Sequence, residues 1–456
     1  MSPRRLMLIE FNELCPRLLR DFMERGTLPN FRRLHETSTV YTTDAGEEAP
    51  NLEPWIQWPT VHSGMPFGEH QVFHLGDGTK LDQKCVAEIL SDNGIRVGVF
   101  GSMNLNYQRL NGYVMPDPWH KEGSAHPEWL QPFYKTVAYQ VQEASRPGGG
   151  SKKEMLRFAW FLARNGLTAG TAWAVIKQLW QERRDLGLRW RRACLLDRLQ
   201  YDVFRNLNRA CDVQFATFFC NSTAHFQHYH WRNMTPESFT VPPPESDHAS
   251  LREAILYGYQ AMDRLIGHFF VDYPDAVLML CTALSQQPWT DTTKCTFRPK
   301  RFDELLSFAR VEMPATAIKP VMAEQFHVEC PDDGTALMTE ERFRDLSIDD
   351  EPLMAVKRKG NSVFAGCRVT SAEVLDRPVT RGSDGNRRRF GDLFYMIHSM
   401  RSGRHHSDGV LWVSGTRQKI VPERVPLTDI APTILAHFGV PCPNHMCGQP
   451  LRDATT

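Results

Sequence analysis

The chain has 456 residues, enough for one large domain with insertions or for two domains. Lys+Arg and Asp+Glu both number 53, so no net field favours nucleic acid or an anionic membrane as partner. Hydrophobic residues at 41% and charged residues at 23% describe an ordinary globular protein, and no apolar run reaches membrane-spanning length. Eleven cysteines lie scattered without CxxC or zinc-finger spacing, which predicts reduced thiols and a cytoplasmic protein. Met1–Arg5 is basic, but the apolar run behind it breaks at Glu10, too early for a signal peptide.

Leu6–Ile9 is a four-residue apolar run, as in a strand buried on both faces, and it ends in Glu10, Asn12 and Glu13. Carboxyl ends of strands are where open α/β sheets hold ligands; the plainer reading is a core strand followed by a helix cap. Pro16 to Arg25 has helical spacing closed by Gly26, and Asn30 is placed to cap a short helix over 31–35. Val40 to Thr43 is β-branched. The stretch Leu52–Gly64 brings Glu53, Trp55 and Trp58 close in sequence, and the loop behind it is rich in turn residues and imidazoles. A helix over 81–93 and a buried strand over 96–101 continue an α/β grammar.

From about Trp129 the pattern turns to long helices, over 152–165, 171–186 and 188–208, with a glycine-rich connector at Ser145–Ser151. Arg183, Arg184, Arg189, Arg191, Arg192 and Arg198 read either as the lining of an anion site or, more simply, as a solvated helix face. The sheet resumes at 212–219, followed by a histidine-bearing stretch to His230. A helix over 250–270 leads to a strand at 276–281 and then to Gln286 and Gln287. Residues 300–395 mix short elements with many charges, and Arg387–Arg389 reads as a solvated turn. A final strand over 409–415 and a helix start at Leu427 close the chain.

In order and spacing, these stretches resemble the alkaline phosphatase superfamily, closest to its type I phosphodiesterase/nucleotide pyrophosphatase branch. Gly26-Thr27-Leu28-Pro29-Asn30 with Leu34 is similar to that family's G-x-x-P-N-x-x-x-L helix, and Ser63–His70 to its T-G-x-x-P-x-x-H stretch. Phe219–His228 is similar to E-T-D-x-x-x-H, and Gly403–Gly409 to G-x-H-x-x-x-G. Leu427–Leu435, with Gly439, Pro441 and Gly448, resembles the closing motif. The resemblance implies a mixed, mainly parallel sheet with helices on both faces. It divides the chain into a core of 1–128, 211–299 and 396–456, a helical insertion of 129–210, and a second insertion or small lid of 300–395.

The resemblance also implies a two-metal phosphoryl site, and here the sequence departs from it. The first-strand Asp falls on Asn12, the nucleophile on Pro54, the Asp of E-T-D on Ala224, and an Asp-His pair on Ala283 and Leu284. Only His228 and His405 remain of the metal ligands. They leave room for one divalent cation, zinc by ligand type, with a third ligand from His225, His230, His406 or Glu53. In place of the lost apparatus stands a rebuilt set: Glu53 and Glu10 as paired carboxylates for acid–base work, and Asn12, Glu13, Trp55, Gln286 and Gln287 as ligand-binding residues. Taken singly, these carboxylates read as caps or ion-pair partners and the tryptophans as core.

Three functions follow. The first is a phosphodiesterase-like protein acting on or binding a phosphate or sulfate ester, nucleotide or glycan in type, through the rebuilt site. The second is a catalytically silent relative that binds such a ligand, and the third a scaffold whose helical insertion docks a partner. Folds do not decide between these; sites do.

Overall fold

The computed structural model describes residues 4–107, 109–120, 123–142, 152–314, 317–320, 324–397, 400–415 and 418–451. The connector expected at Ser145–Ser151 lies outside them.

The sheet forms around β1 (Leu6–Phe11), six residues buried without exception. Its side chains alternate: Met7, Ile9 and Phe11 enter one apolar cluster, and Leu6 and Leu8 enter another on the opposite face. The other strands of this sheet and of the ribbon beside it are β2 (Ser38–Asp44), β3 (Val97–Phe100), β4 (Gly112–Met115), β5 (Phe215–Cys220), β6 (Val277–Cys281), β7 (Ser285–Pro288), β8 (Gly403–His406), β9 (Asp408–Ser414) and β10 (Lys419–Pro426). Eight of them pair in the order β10-β2-β9-β6-β1-β5-β3-β4. Only β9 runs antiparallel to its neighbours, so the sheet is mixed and mainly parallel, as expected. β7 and β8 form a separate antiparallel ribbon beyond the ends of β6 and β9, with Gln286 opposite His405.

The helices are α1 (Pro16–Glu24), α2 (Pro29–Glu36), α3 (Pro54–Ser63), α4 (Phe67–His70), α5 (Val86–Asp92), α6 (Gln131–Gln142), α7 (Lys152–Arg164), α8 (Ala169–Arg184), α9 (Arg192–Cys211), α10 (Ser222–Met234) and α11 (Ala254–Asp272). On one face α1, α2, α9 and α11 pack through Phe22, Phe31, Phe204 and Phe269; on the other, α3, α5 and a last helix, Ile430–His437, pack through Trp58, Leu90 and Ile434. Each such fully buried side chain contributes roughly 1.5–3 kcal/mol of apolar transfer. Asn30 does not cap α2 as expected, because Pro29 already starts the helix. Its amide bonds Asp263 of α11 instead.

Residues 295–400 carry a third apolar cluster, with Phe326, Phe343 and Phe390 fully buried. Two four-stranded sheets surround it. Arg387–Arg389 is solvated as expected but is a strand rather than a turn, because its backbone pairs antiparallel with Pro378–Thr380.

Candidate active site

Helix α3 sets the site by lying along β1. Pro54 opens it at N1, where the missing N–H costs nothing, and Gly64 closes it at φ 64°. Inside it, Pro59 cannot donate to the Trp55 carbonyl, and Asn104 Nδ2 takes that acceptor at 2.7 Å. Trp58 Nε1 donates to Asn12 Oδ1 at 2.9 Å, and one turn on, His62 Nε2 meets Glu10 Oε1 at 2.5 Å. Helix and strand therefore run in opposite directions, since rising sequence on α3 meets falling sequence on β1. Glu53, five residues before Trp58, lies about 7 Å further out along the helix at 1.5 Å per residue.

That geometry separates the two carboxylates expected to share a pocket. Glu10 is sealed beneath α3, fully buried, and also accepts from Ser102 Oγ at 2.7 Å. Glu53 stands at the rim, beside His405. The structure does not bring them together. Side chains two apart on a strand do share a face, but the second reaches the edge only if nothing covers the first, and His62 covers Glu10.

The group at the strand ends forms around Glu13, in the turn after β1. Its backbone adopts φ 62°, a left-handed conformation uncommon for a residue with a side chain. The turn is fixed from both sides: Gln227 Nε2 donates to the Glu13 carbonyl at 2.6 Å, and Asn12 Nδ2 to Glu13 Oε1 at 2.8 Å. Oε2 receives Gln286 Nε2 and lies 3.1 Å from His228 Nε2 and 3.4 Å from His405 Nε2. His228 comes from α10 and His405 from β8, and their ring centroids are 5.2 Å apart. The third partner of the two imidazoles is Glu13, not His225, His230 or His406. No motif pointed to it, although it directly follows Asn12. Gly403 is required where β8 meets Gln286, because a Cβ there would fall 2.4 Å from Gln286 Oε1.

Trp55 and Gln287 stand apart. Trp55 Nε1 donates to the Phe73 carbonyl at 3.0 Å, and Gln287 opposes Arg404, on the ribbon face away from Gln286 and His405. Two residues outside the expected set enter. Arg401 Nη2 donates to His228 Nδ1 at 3.2 Å, and its Nε is buried without a hydrogen-bond partner. The charges of Arg401 and Lys294 both act on Glu53. Nothing in their local sequence marks either one.

Burial alone would raise the Glu13 carboxyl, but His228 and His405 hold it well below the usual range. Burial drives His228 down to about 4, against the pull of Glu13. His405 is likewise disfavoured as a cation by burial, yet Glu13 and then Glu53 raise it above its ordinary value. Burial also raises Glu53, with His405, Arg401 and Lys294 opposing.

Glu13, His228 and His405 form a donor set for a divalent cation. One atom from each lies within 4.8 Å of the others, and among the described residues this is the group of three that converges so. His405 donates Nδ1–H to the Leu52 carbonyl at 2.9 Å, which aims Nε2 inward at Glu13 Oε2, 3.4 Å away. That is the outer support a ligating imidazole needs, so the residues fit a cation. The His405 proton, held more tightly than usual, competes for the same Nε2. Cation affinity should therefore climb as pH rises toward the folded value of His405, by up to about tenfold per unit, and level off above it. Calorimetric titration with zinc at several pH values checks this; a flat profile would remove His405 from the ligand set.

No family model and no curated protein matches the chain. Solved structures do. Alkaline phosphatase PafA is 11% identical, covers 100% of both chains and has a TM-score of 0.46. Murine ectonucleotide pyrophosphatase/phosphodiesterase 5 is 7% identical over 97% of each chain, with a TM-score of 0.41. Phosphonoacetate hydrolase from Sinorhizobium meliloti 1021, in complex with phosphonoformate, is 11% identical, covers 96% of this chain and 97% of its own, and has a TM-score of 0.37. All three are alkaline phosphatase superfamily structures.

Proposed function

We propose that this chain is a phosphoester hydrolase with a rebuilt, single-cation site at the carboxyl ends of β1 and β5. The observation that carries the reading is the convergence of His228 Nε2 and His405 Nε2 on Glu13 Oε2, beside two basic side chains. In this reading Glu13, His228 and His405 hold a divalent cation, zinc by ligand type, which when bound supplies Lewis-acid polarisation of a phosphoryl oxygen. Arg401 and Lys294 neutralise the phosphate and orient it.

Glu53 is the acid–base group. It sits at the rim, in contact with His405, and its raised pKa suits a carboxyl that must both hold and release a proton. As a carboxylate it takes the proton of the attacking water while the new P–O bond forms. The ester oxygen leaves as its bond to phosphorus breaks and takes a proton from solvent water, and Glu53 returns the proton it took to solvent. No side-chain nucleophile is used, because Pro54 occupies the position where the resemblance expects one.

Pro54 also favours a second reading, a silent relative that binds a phosphate ester without turning it over. Purified protein assayed for bound metal and screened with aryl phosphate mono- and diesters separates the two. Hydrolysis predicts turnover that falls about 100-fold in Glu53→Gln with the cation retained. Binding without turnover establishes the silent reading, and full turnover in Glu53→Gln would dismiss Glu53 as the acid–base group.

A further inference from the structure

A basic cavity lies in the helical layer and shares no residue with the site around Glu13. It measures about 570 Å³, within the ligand-pocket range of about 300–1,000 Å³, between α8, α9 and α11. Lys177, Arg191, Arg198 and Arg264 line it, with no carboxylate among the lining side chains. Acids on the surrounding elements have partners of their own: Asp263 binds Asn30 and the Phe31 N–H, Asp202 binds Thr168, and Glu182 binds Arg192 and Gln178.

The guanidinium groups are held in place. Arg198 Nε donates to Thr171 Oγ1 at 3.0 Å. Arg191 stacks on Trp190 and Tyr257, at 5.3 and 5.2 Å, and its Nε is buried with no hydrogen-bond partner. Arg264 approaches the same Tyr257 ring at 6.0 Å. Burial lowers the Arg198 pKa, with Asp202 opposing and Arg264 adding to the decrease. Like charges gathered around one cavity repel, and arginine forks match phosphate oxygens in geometry.

We propose that this cavity is a second binding site, for a ligand carrying clustered phosphate groups. Such phosphates could come from a soluble polyphosphorylated molecule or from an anionic lipid headgroup. The lipid source has support next to the cavity, where Trp173, Ile176 and Trp180 of α8 are 65%, 57% and 51% exposed. Indole rings beside basic groups suit the headgroup level of a bilayer.

The test uses the full chain, with inorganic tripolyphosphate as the soluble probe and cardiolipin vesicles, with two phosphates per headgroup, as the lipid probe. Lys177 and Arg264 are exposed, so a Lys177→Gln/Arg264→Gln variant should fold, as thermal melting will verify. Tripolyphosphate should bind the wild-type chain in calorimetry, weaken with added salt, and bind the double variant at least tenfold less tightly. Binding of that probe alone assigns the soluble source. Vesicle co-sedimentation lost in both the double variant and Trp173→Ser/Trp180→Ser assigns the lipid source. The proposal falls if neither probe binds, if binding survives Lys177→Gln/Arg264→Gln unchanged, or if His228→Ala abolishes it.

Discussion

Replacing Glu13 by alanine should abolish divalent-cation binding and cost about 3 kcal/mol of stability. Breaking a buried ion pair costs roughly 3–5 kcal/mol, and the lower end applies because His405 can release its proton once Glu13 is gone. The sign of the pH dependence follows from the two shifts. Glu13 is depressed, so its contribution is fully present above 4.5 and is lost as pH falls through its folded value. His405 is raised, so its contribution is fully present below 6.5 and is lost as pH climbs through its folded value. The penalty of Glu13→Ala should therefore be largest between about pH 4.5 and 6.5. Urea denaturation across pH measures it, and a penalty independent of pH would mean that the imidazoles are not coupled to this carboxylate.

Glu10→Ala should be as damaging to the fold and nearly silent at the site. Glu10 and His62 are both 0% exposed, and removal of the carboxylate leaves His62 Nε2 and Ser102 Oγ without their partner. The expected loss is about 3–5 kcal/mol. A Glu10→Leu/His62→Leu variant should recover at least about 2 kcal/mol of it, since removing both members of a buried polar pair costs far less than orphaning one. Cation affinity measured in the conservative Glu10→Gln should stay within about twofold of wild type, as expected for a group that touches none of the ligands. A folded Glu10→Gln that had lost the cation would return Glu10 to the site.

How far the sequence could lead is visible in particular residues. β1 was legible because a strand buried on both faces has to be apolar without interruption. His228 and His405 were legible through motif resemblance, which places them by order along the chain. Glu53 was legible as a carboxylate next to the position that Pro54 occupies. Glu10 was misassigned because alternation along a strand says which face a side chain takes, not what covers it. Only the opposed direction of α3 puts His62 over it. Arg401 and Lys294 were invisible for a different reason. They reach the site from the far ends of an insertion, and no local pattern records where a chain returns after about a hundred residues.

That return has an engineering consequence. Residues 290–401 leave and re-enter side by side, since the Trp289 N–H meets the Ser402 carbonyl at 2.8 Å and Pro288 faces Gly403 in the ribbon. Both Lys294 and Arg401 lie within the excursion, whereas Glu13, Glu53, His228 and His405 lie outside it. In the proposed reading, the residues assigned to acid–base work and cation holding lie outside the excursion, and the basic side chains assigned to the phosphate lie within it. The two sets touch where Arg401 of the excursion hydrogen-bonds His228, so exchanging the excursion would change the surroundings of one imidazole together with the positive charge.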